Sequence, residues 1–367
     1  MERQRIIGFD IARALAIFGM FIVNFNFSFG DLRIENSSIG QFLNFFTGKP
    51  TAIFIVCAGM GVSLMTNKYL EFSQQEKEKF KSIILKRSWF LFALGLILYK
   101  WWEGDILHFY GGYMHIAAFF LFVPKRYYLV GAVLSIIVYH ILIYLIPYNT
   151  GWDESIYNYS DFWTIKGFLR NALYNGWNSI FPWIAYFFLG MWLGRINWQD
   201  TKIRKRIFIL GFIFFCLTIG LQKYSIHIQS NIMIAEIPIV AYINSVYLPN
   251  FLPFMVITAS FALMVIIICI WLGEKFKNVK IVVWLSETGK MTLTNYVQHL
   301  TIGVLIFQFM TGSIFPRGHL QTGKVISPEY ILMFSLCYFI VSVLFSVLWT
   351  KKFKKGPLEL LMRKISG

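Results

Sequence analysis

The sequence predicts an all-α fold, a polytopic transmembrane helical bundle of about ten spans with both termini cytoplasmic. Three observations carry this reading: the composition, the length of the apolar runs, and the placement of basic residues between them. The 367 residues are 57% hydrophobic and 19% aromatic but only 14% charged, whereas a soluble domain carries roughly 25% charged residues. Most of such a chain cannot face water on every side, which sets the class before any motif is considered.

A helix needs about 20 apolar residues to cross the hydrocarbon core of a bilayer. Runs near that length, bounded by charge or by Gly/Pro/Asn clusters, fall at about 7–29, 47–66, 88–102, 105–123, 127–148, 179–196, 206–222, 251–273, 288–311 and 330–350. The first has a basic front but no A-x-A-like cleavage site, so it reads as a retained span and not a signal peptide. Only Glu103-Gly104-Asp105 separates the third from the fourth. Near 161–176, Phe162, Ile165, Phe168, Leu169, Ala172 and Leu173 recur at three- and four-residue spacing opposite Thr164, Lys166, Arg170 and Asn171. That pattern predicts a short amphipathic helix lying on the outer interface. The loop 223–250 is too polar, and too interrupted by Pro238, to count as a span. With no Gly/Ser linker, low-complexity tract or repeat, residues 1–367 read as a single domain.

The formal net charge of +16 would suggest a nucleic-acid partner in a soluble protein. With the N-terminus inside, however, the inner segments 1–6, 67–87, 124–126, 195–206, 274–280 and 351–367 hold 24 of the 34 Lys and Arg residues. An even number of spans with both termini inside fits this asymmetry and the reverse orientation does not. The charge is therefore topology, nucleic acid drops out, and the lipid bilayer is the first partner. Cys57, Cys216, Cys269 and Cys337 are scattered through apolar stretches without ligand spacing. They read as small core residues, with neither disulfide framework nor metal site.

An ionisable group inside a span costs about 2.5–3.5 kcal/mol on insertion scales, so such groups are the places to look for function. Asp10, Arg13 and Asn24 share one face of the first span. The bland reading is a self-neutralising Asp/Arg pair that pins the helix, and the functional one is that Arg13 aims a fixed planar charge at an anionic ligand from the cytoplasm. At the outer end of the fourth span, Asp105, His108 and His115 fall at i, i+3 and i+10, with Gly111 and Gly112 admitting a backbone or a ligand. A carboxylate one turn from an imidazole fixes its tautomer and raises its basicity, as a general base requires. Polar packing between helices is the competing account. The ninth span opens with Lys290, Thr292, Asn295, Gln298 and His299 within three turns, a density that lines a cavity more readily than it faces lipid. His140 stands alone and reads as packing, while His227 and His319 lie in outer loops. There is no G-x-x-x-x-G-K-[ST] loop, G-x-S-x-G elbow or H-E-x-x-H motif to support an ATPase, serine hydrolase or zinc protease.

Four segments in register resemble a known family: Arg5 to Asn24, Gly104-Asp105-Ile106-Leu107 with Tyr110, Gly289 to Tyr296, and Gly356-Pro357-Leu358-Glu359. They resemble the YeiB-like bacterial membrane proteins, which are similar to heparan-alpha-glucosaminide N-acetyltransferases and to the wider transmembrane acyltransferase superfamily. The resemblance implies transfer of an acyl group, usually acetyl, from cytoplasmic acyl-CoA to a sugar or other envelope acceptor across a bacterial cytoplasmic membrane. The superfamily's Asp-x-x-Arg matches Asp10 and Arg13. Fourteen residues after the aspartate the acyltransferase-3 proteins carry histidine and the heparan type asparagine; this chain has Asn24. The heparan type also has its catalytic histidine in the first outer loop, and residues 27–48 contain none.

Under this reading Asp10, Arg13, Lys290, Asn295, His299 and the basic inner loops hold the acyl-CoA donor, with acetyl-CoA the expected form and no metal. His108 or His115, oriented by Asp105, is the base, and Asn24 holds the thioester carbonyl or the acceptor. A homodimer is the assembly carried with it. The alternative is a proton-coupled transporter or flippase in which Asp105, His108 and His115 form a relay, although no inverted repeat or paired broken helices accompany it. A receptor or scaffold is the third reading, favoured if neighbouring side chains fill the polar clusters.

Overall fold

Where water is absent, backbone N–H and C=O groups must pair within their own segment, and a helix is the open-chain way to do so. The computed structural model describes residues 6–30, 37–153, 158–225, 227, 232–234, 237–244, 247–312 and 326–367. Arg5, Arg33, Arg317, His319 and Lys324 lie outside them. All ten apolar runs contain helix. In chain order these are α1 (Ile7–Phe29), α2 (Ser38–Phe45), α3 (Lys49–Met65), α4 (Gln74–Tyr99), α5 (Leu107–Ala117), α6 (Arg126–Leu145), α7 (Ile165–Arg170), α8 (Ile180–Gly194), α9 (Thr201–Ser225), α10 (Ile239–Ile243), α11 (Leu252–Lys275), α12 (Lys280–Gly289), α13 (Thr292–Gln298), α14 (Val304–Thr311), α15 (Pro328–Phe353) and α16 (Pro357–Ser366). Two short antiparallel pairs, Trp152–Asp153 with Asn158–Tyr159 and Met233–Ile234 with Ile237–Pro238, are the strands among the described residues.

Seven of the described helical segments are long and apolar enough to cross a membrane: α1, α2 with α3, α4, α6, α9, α11 and α15. The other three predicted spans are shorter or broken. α5 has 11 residues and α8 has 15, and the ninth span is split into α12, α13, a π-turn at His299–Gly303, and α14. α4 starts well before the apolar run it carries, at Gln74, because Ser73 and Glu76 form a reciprocal capping box there. Ser37, Thr164 and Ser327 cap α2, α7 and α15 in the same side-chain manner. α14 ends at Gly312 in the left-handed region, where glycine carries no Cβ penalty.

A helix is present within 161–176 as α7, extended by a π-turn over Asn171–Asn175. Its faces are used in the opposite sense from a soluble amphipathic helix. Gly167, Asn171, Tyr174 and Asn175 are buried against the protein, while Trp163, Ile165, Leu169 and Leu173 point outward. An apolar row turned away from the protein is the arrangement a bilayer surface accepts. The same logic applies to α9, whose apolar surface is almost wholly uncovered.

Contacts divide the chain into two compact units, Met1–Phe54 with Ala262–Leu361, and Ile55–Phe261 with Met362–Gly367. In the first, α1 packs on α12, α13 and α15. Gly8 lies on the backbone of Cys269 and Ile270, and Gly289 lies on the Asp10 carbonyl. In the second, α4 and α5 form a close antiparallel pair and α6 packs on α8. Small residues make these approaches. Gly59 meets the Phe187 carbonyl, Gly190 the Val56 carbonyl, and Gly194 the Ser63 side chain. Gly59 with Ser63 and Gly190 with Gly194 are thus two facing small-xxx-small pairs, the pattern that lets helices pack by dispersion where lipid removes the hydrophobic drive.

Candidate functional site

Asp105 stands two residues ahead of α5, where the helix has N–H groups without intrahelical partners. Its Oδ2 accepts from the backbone N–H of Leu107 at 2.8 Å and of His108 at 3.3 Å, and lies 3.4 Å from His108 Nδ1. One carboxylate therefore closes the helix end and faces the imidazole that the same turn presents. The ring contact is longer than an ordinary hydrogen bond, so its effect is mainly electrostatic. It favours the tautomer with the proton on Nδ1 and leaves the Nε2 lone pair to accept. His108 Nε2 is buried and has no hydrogen-bond partner among the described residues. The ring sits edge-on to Tyr99 at 5.5 Å and against Phe109 at 3.9 Å.

The unit that holds His108 carries further unused polarity. Tyr99 Oη, Glu103 Oε2 and both amide atoms of Asn171 are also buried without a partner among the described residues. Leaving such an atom unsatisfied costs about 1–3 kcal/mol, which a purely structural core would avoid with apolar residues. Burial raises the Glu103 carboxyl above the usual carboxylate range. Gly95 on α4 makes the arrangement sterically feasible, because a methyl there would fall on the His108 backbone nitrogen and within 2.8 Å of Asp105 Oδ2.

His115 does not join this pair. Its Nδ1 lies 3.4 Å from Ser88 Oγ, and its ring packs edge-on to Trp89 at 5.5 Å. The two glycines expected to admit a backbone or a ligand both meet protein. Gly111 rests on the α4 backbone at Ser88 and Phe92, and Gly112 on the Ile180 side chain.

In the other unit Asn24 and His299, 275 residues apart, meet through Nδ2 and Nε2 at 2.8 Å. The His299 ring lies 4.9 Å from Phe21 and 5.1 Å from Tyr296. It opens the π-turn, a local widening of the helix that recurs at functional positions. Arg13 pairs with Asp10 at 2.9 Å and Lys290 with Glu287 at 2.5 Å, each one turn away along its helix. With Gly289 seated on Asp10, the four charges lie at one helix crossing and cancel. Arg13 and Lys290 thus offer directed N–H groups rather than net positive charge. Asn295 Nδ2 is 3.2 Å from Ser346 Oγ, and its Oδ1 is buried without a partner among the described residues.

One residue of this region escaped the sequence-level assignment of roles, though it lies in the tail segment that carries the resemblance. Glu359 Oε1 accepts from the N–H of Leu293 at 2.7 Å and of Thr294 at 3.2 Å, and Oε2 from Thr294 Oγ1 at 2.5 Å. It caps α13 from 66 residues away, so no local spacing betrays it. Burial pushes its carboxyl upward despite these donors. Glu359→Ala is expected to destabilise the protein by about 2–3 kcal/mol, the scale of charged hydrogen bonds lost from buried donors. A thermal melt in detergent measures this, and an unchanged midpoint would remove the cap from the account.

Residues 5–229 match the family model described as heparan-alpha-glucosaminide N-acetyltransferase, catalytic. The chain belongs to that family. The match includes Asp10, Arg13, Asn24, Asp105, His108 and His115. Residues 190–367, with Lys290, Asn295, His299 and Glu359, match a second model, described as protein of unknown function (DUF418). Uncharacterized protein YxaH of Bacillus subtilis (strain 168) is 21% identical over 415 residues, which span 99% of this chain and 94% of that protein. The YeiB-like resemblance and the likeness to the heparan-type enzymes therefore hold together, one over each part of the chain. This is a multi-pass membrane protein with an acetyltransferase-like domain.

Proposed function

We propose that residues 1–367 act as one acyl-transferring domain, moving an acetyl or related acyl group from cytoplasmic acyl-CoA to a hydroxyl or amine of an extracytoplasmic envelope glycan. The observation that carries the reading is the Asp105–His108 pair, a buried imidazole with a carboxylate on one nitrogen and an uncommitted lone pair on the other. With both termini inside, as the basic segments suggest, this pair falls at the outer end of its helices.

In the step, His108 Nε2 takes the proton of the acceptor O–H or N–H as that atom attacks the thioester carbonyl carbon. The C–S bond breaks, CoA leaves as the thiolate, and the imidazolium returns the proton to sulfur. Asp105 stabilises the imidazolium formed between these events. Asn24 and His299 supply hydrogen bonds from their own cluster, while Asp10, Arg13, Lys290 and Asn295 are assigned to the donor's polar groups. A proton relay would need His115 in line with Asp105 and His108. His115 lies instead with Ser88 and Trp89, which favours a base over a relay.

The test uses purified full-length protein in detergent with labelled acetyl-CoA and a mixture of envelope glycans. Thermal stabilisation by acetyl-CoA and transfer of label to an acceptor are the expected results. Failure of every common acyl-CoA to stabilise the protein overturns the proposal.

A further inference from the structure

Tyr99 is the last residue of α4. Its buried ring lies face to face on Phe162 at 3.6 Å and stands perpendicular to the His108 ring at 5.5 Å. Trp163 adds a third contact at 6.0 Å. A ring held by three aromatic neighbours has its phenol direction fixed as well, yet Oη has no hydrogen-bond partner among the described residues. Packing alone would be served better by phenylalanine, because a buried hydroxyl without a partner costs about 1–3 kcal/mol.

Asn171 approaches the same imidazole from a different element. A methyl on Gly176 would fall 2.5 Å from Asn171 Oδ1 and 2.7 Å from Phe109 Cζ. The carboxamide therefore lies at the tip of the ring that packs on His108 at 3.9 Å. Asn171 is completely buried, and both its amide atoms lack a partner among the described residues. It opens the π-turn that follows α7, a widened turn of the kind that recurs at functional positions. The last residue of that turn shows what a structural asparagine does here. Asn175 accepts from Tyr159 Oη at 2.6 Å and donates to the carbonyls of Tyr148 at 2.6 Å and Thr150 at 2.9 Å. A phenol both donates and accepts, a carboxamide donates through Nδ2 and accepts through Oδ1, and His108 Nε2 accepts. Open donors and acceptors of both kinds among aromatic rings suit a neutral ring bearing several hydroxyls.

We propose that Tyr99 and Asn171 are acceptor-binding residues, holding two hydroxyls of a sugar ring beside the one whose proton His108 Nε2 takes, and so selecting acceptors with neighbouring hydroxyls. Their part in transfer rests on the function proposed above, whereas sugar binding by the two side chains does not. Phe162 packs on Tyr99 and edge-on to His108 from the segment that leads into α7, and the sugar enters by displacing that ring.

Thermal unfolding of the purified full chain tests this, with Tyr99→Phe and Asn171→Leu beside the unaltered protein. Glucose, galactose and N-acetylglucosamine are the probes, and cyclohexanol, a ring with one hydroxyl, is the control. Without probe, both variants are expected to melt at or above the unaltered midpoint, since each loses polar atoms that were buried unpaired. With probe, each is expected to need roughly tenfold more of the best-binding sugar for half-maximal stabilisation, the scale of one hydrogen bond lost. Cyclohexanol and acetyl-CoA should each act alike on all three proteins. A weakened sugar response in both variants upholds the subsite even if acetyl-CoA binds none of them, an outcome that would overturn only the acyl-transfer reading. A midpoint lowered in both variants without probe, a sugar response in both equal to that of the unaltered protein, or no sugar response from any of the three overturns the subsite.

Discussion

Replacing His108 with glutamine is expected to leave acetyl-CoA binding within about twofold and to lower transfer by roughly 10²–10⁴-fold, the range for removing a positioned general base. Glutamine keeps the volume and a hydrogen-bonding end, so the change isolates proton transfer from packing. Asp105→Asn should reduce transfer as well, because an amide facing Nδ1 no longer stabilises the imidazolium. His115→Ala is the control. Its imidazole contacts Ser88 and aromatic edges, remote from Asp105, so the variant should retain most of the activity. Initial rates of label transfer with saturating acetyl-CoA, alongside melting curves for each variant, make the measurement. Full activity in His108→Gln would move the base to His299, the other buried histidine with a side-chain partner.

The second large effect comes from a single methyl. Gly95→Ala would place Cβ on the backbone nitrogen of His108, at the junction where α4 meets the start of α5. Nothing flexible lies there to give way, so the two helices must separate or α5 must shift along its axis. Overpacking of this kind costs about 1–3 kcal/mol, and a displacement near 1 Å at a reacting group costs about 10²-fold in rate. The expected result is a lowered melting midpoint together with transfer reduced at least as far as in Asp105→Asn. Gly112→Ala meets only the Ile180 side chain and is expected to be nearly silent. Similar behaviour of the two variants would show that the α4–α5 contact does not hold the pair in register.

Length and hydropathy carried the ten apolar segments, because each must satisfy its own backbone, and all ten contain helix. The same criterion could not reveal that the ninth is broken. Lys290 leaves α12 through local turn bonds, and the cap that starts α13 comes from Glu359, far along the chain. Asp105 and His108 were legible as a pair because three residues separate them, and the helix brings such neighbours together. Asn24 and His299 were each visible, but their meeting was not, since nothing in either segment encodes the other. The amphipathic helix at 161–176 was legible in its spacing and not in its orientation. Periodicity says that one face is apolar and leaves open whether that face meets protein or lipid. Gly59, Gly190 and Gly194 passed unnoticed among apolar neighbours, because a glycine's role as a contact surface depends on the opposing backbone.

The brevity of α5 has one more consequence. Its eleven residues rise about 16 Å, and its first turn is buried together with Asp105 and His108, out of reach of bulk water. Asp105 supplies there the two acceptor contacts that solvent would otherwise give to exposed N–H groups. An imidazole anchored in such a place is screened from competing hydrolysis. Under the proposed chemistry an activated acyl group arriving beside His108 would survive long enough to await its acceptor, and the abbreviated helix would serve as a guard against wasteful turnover.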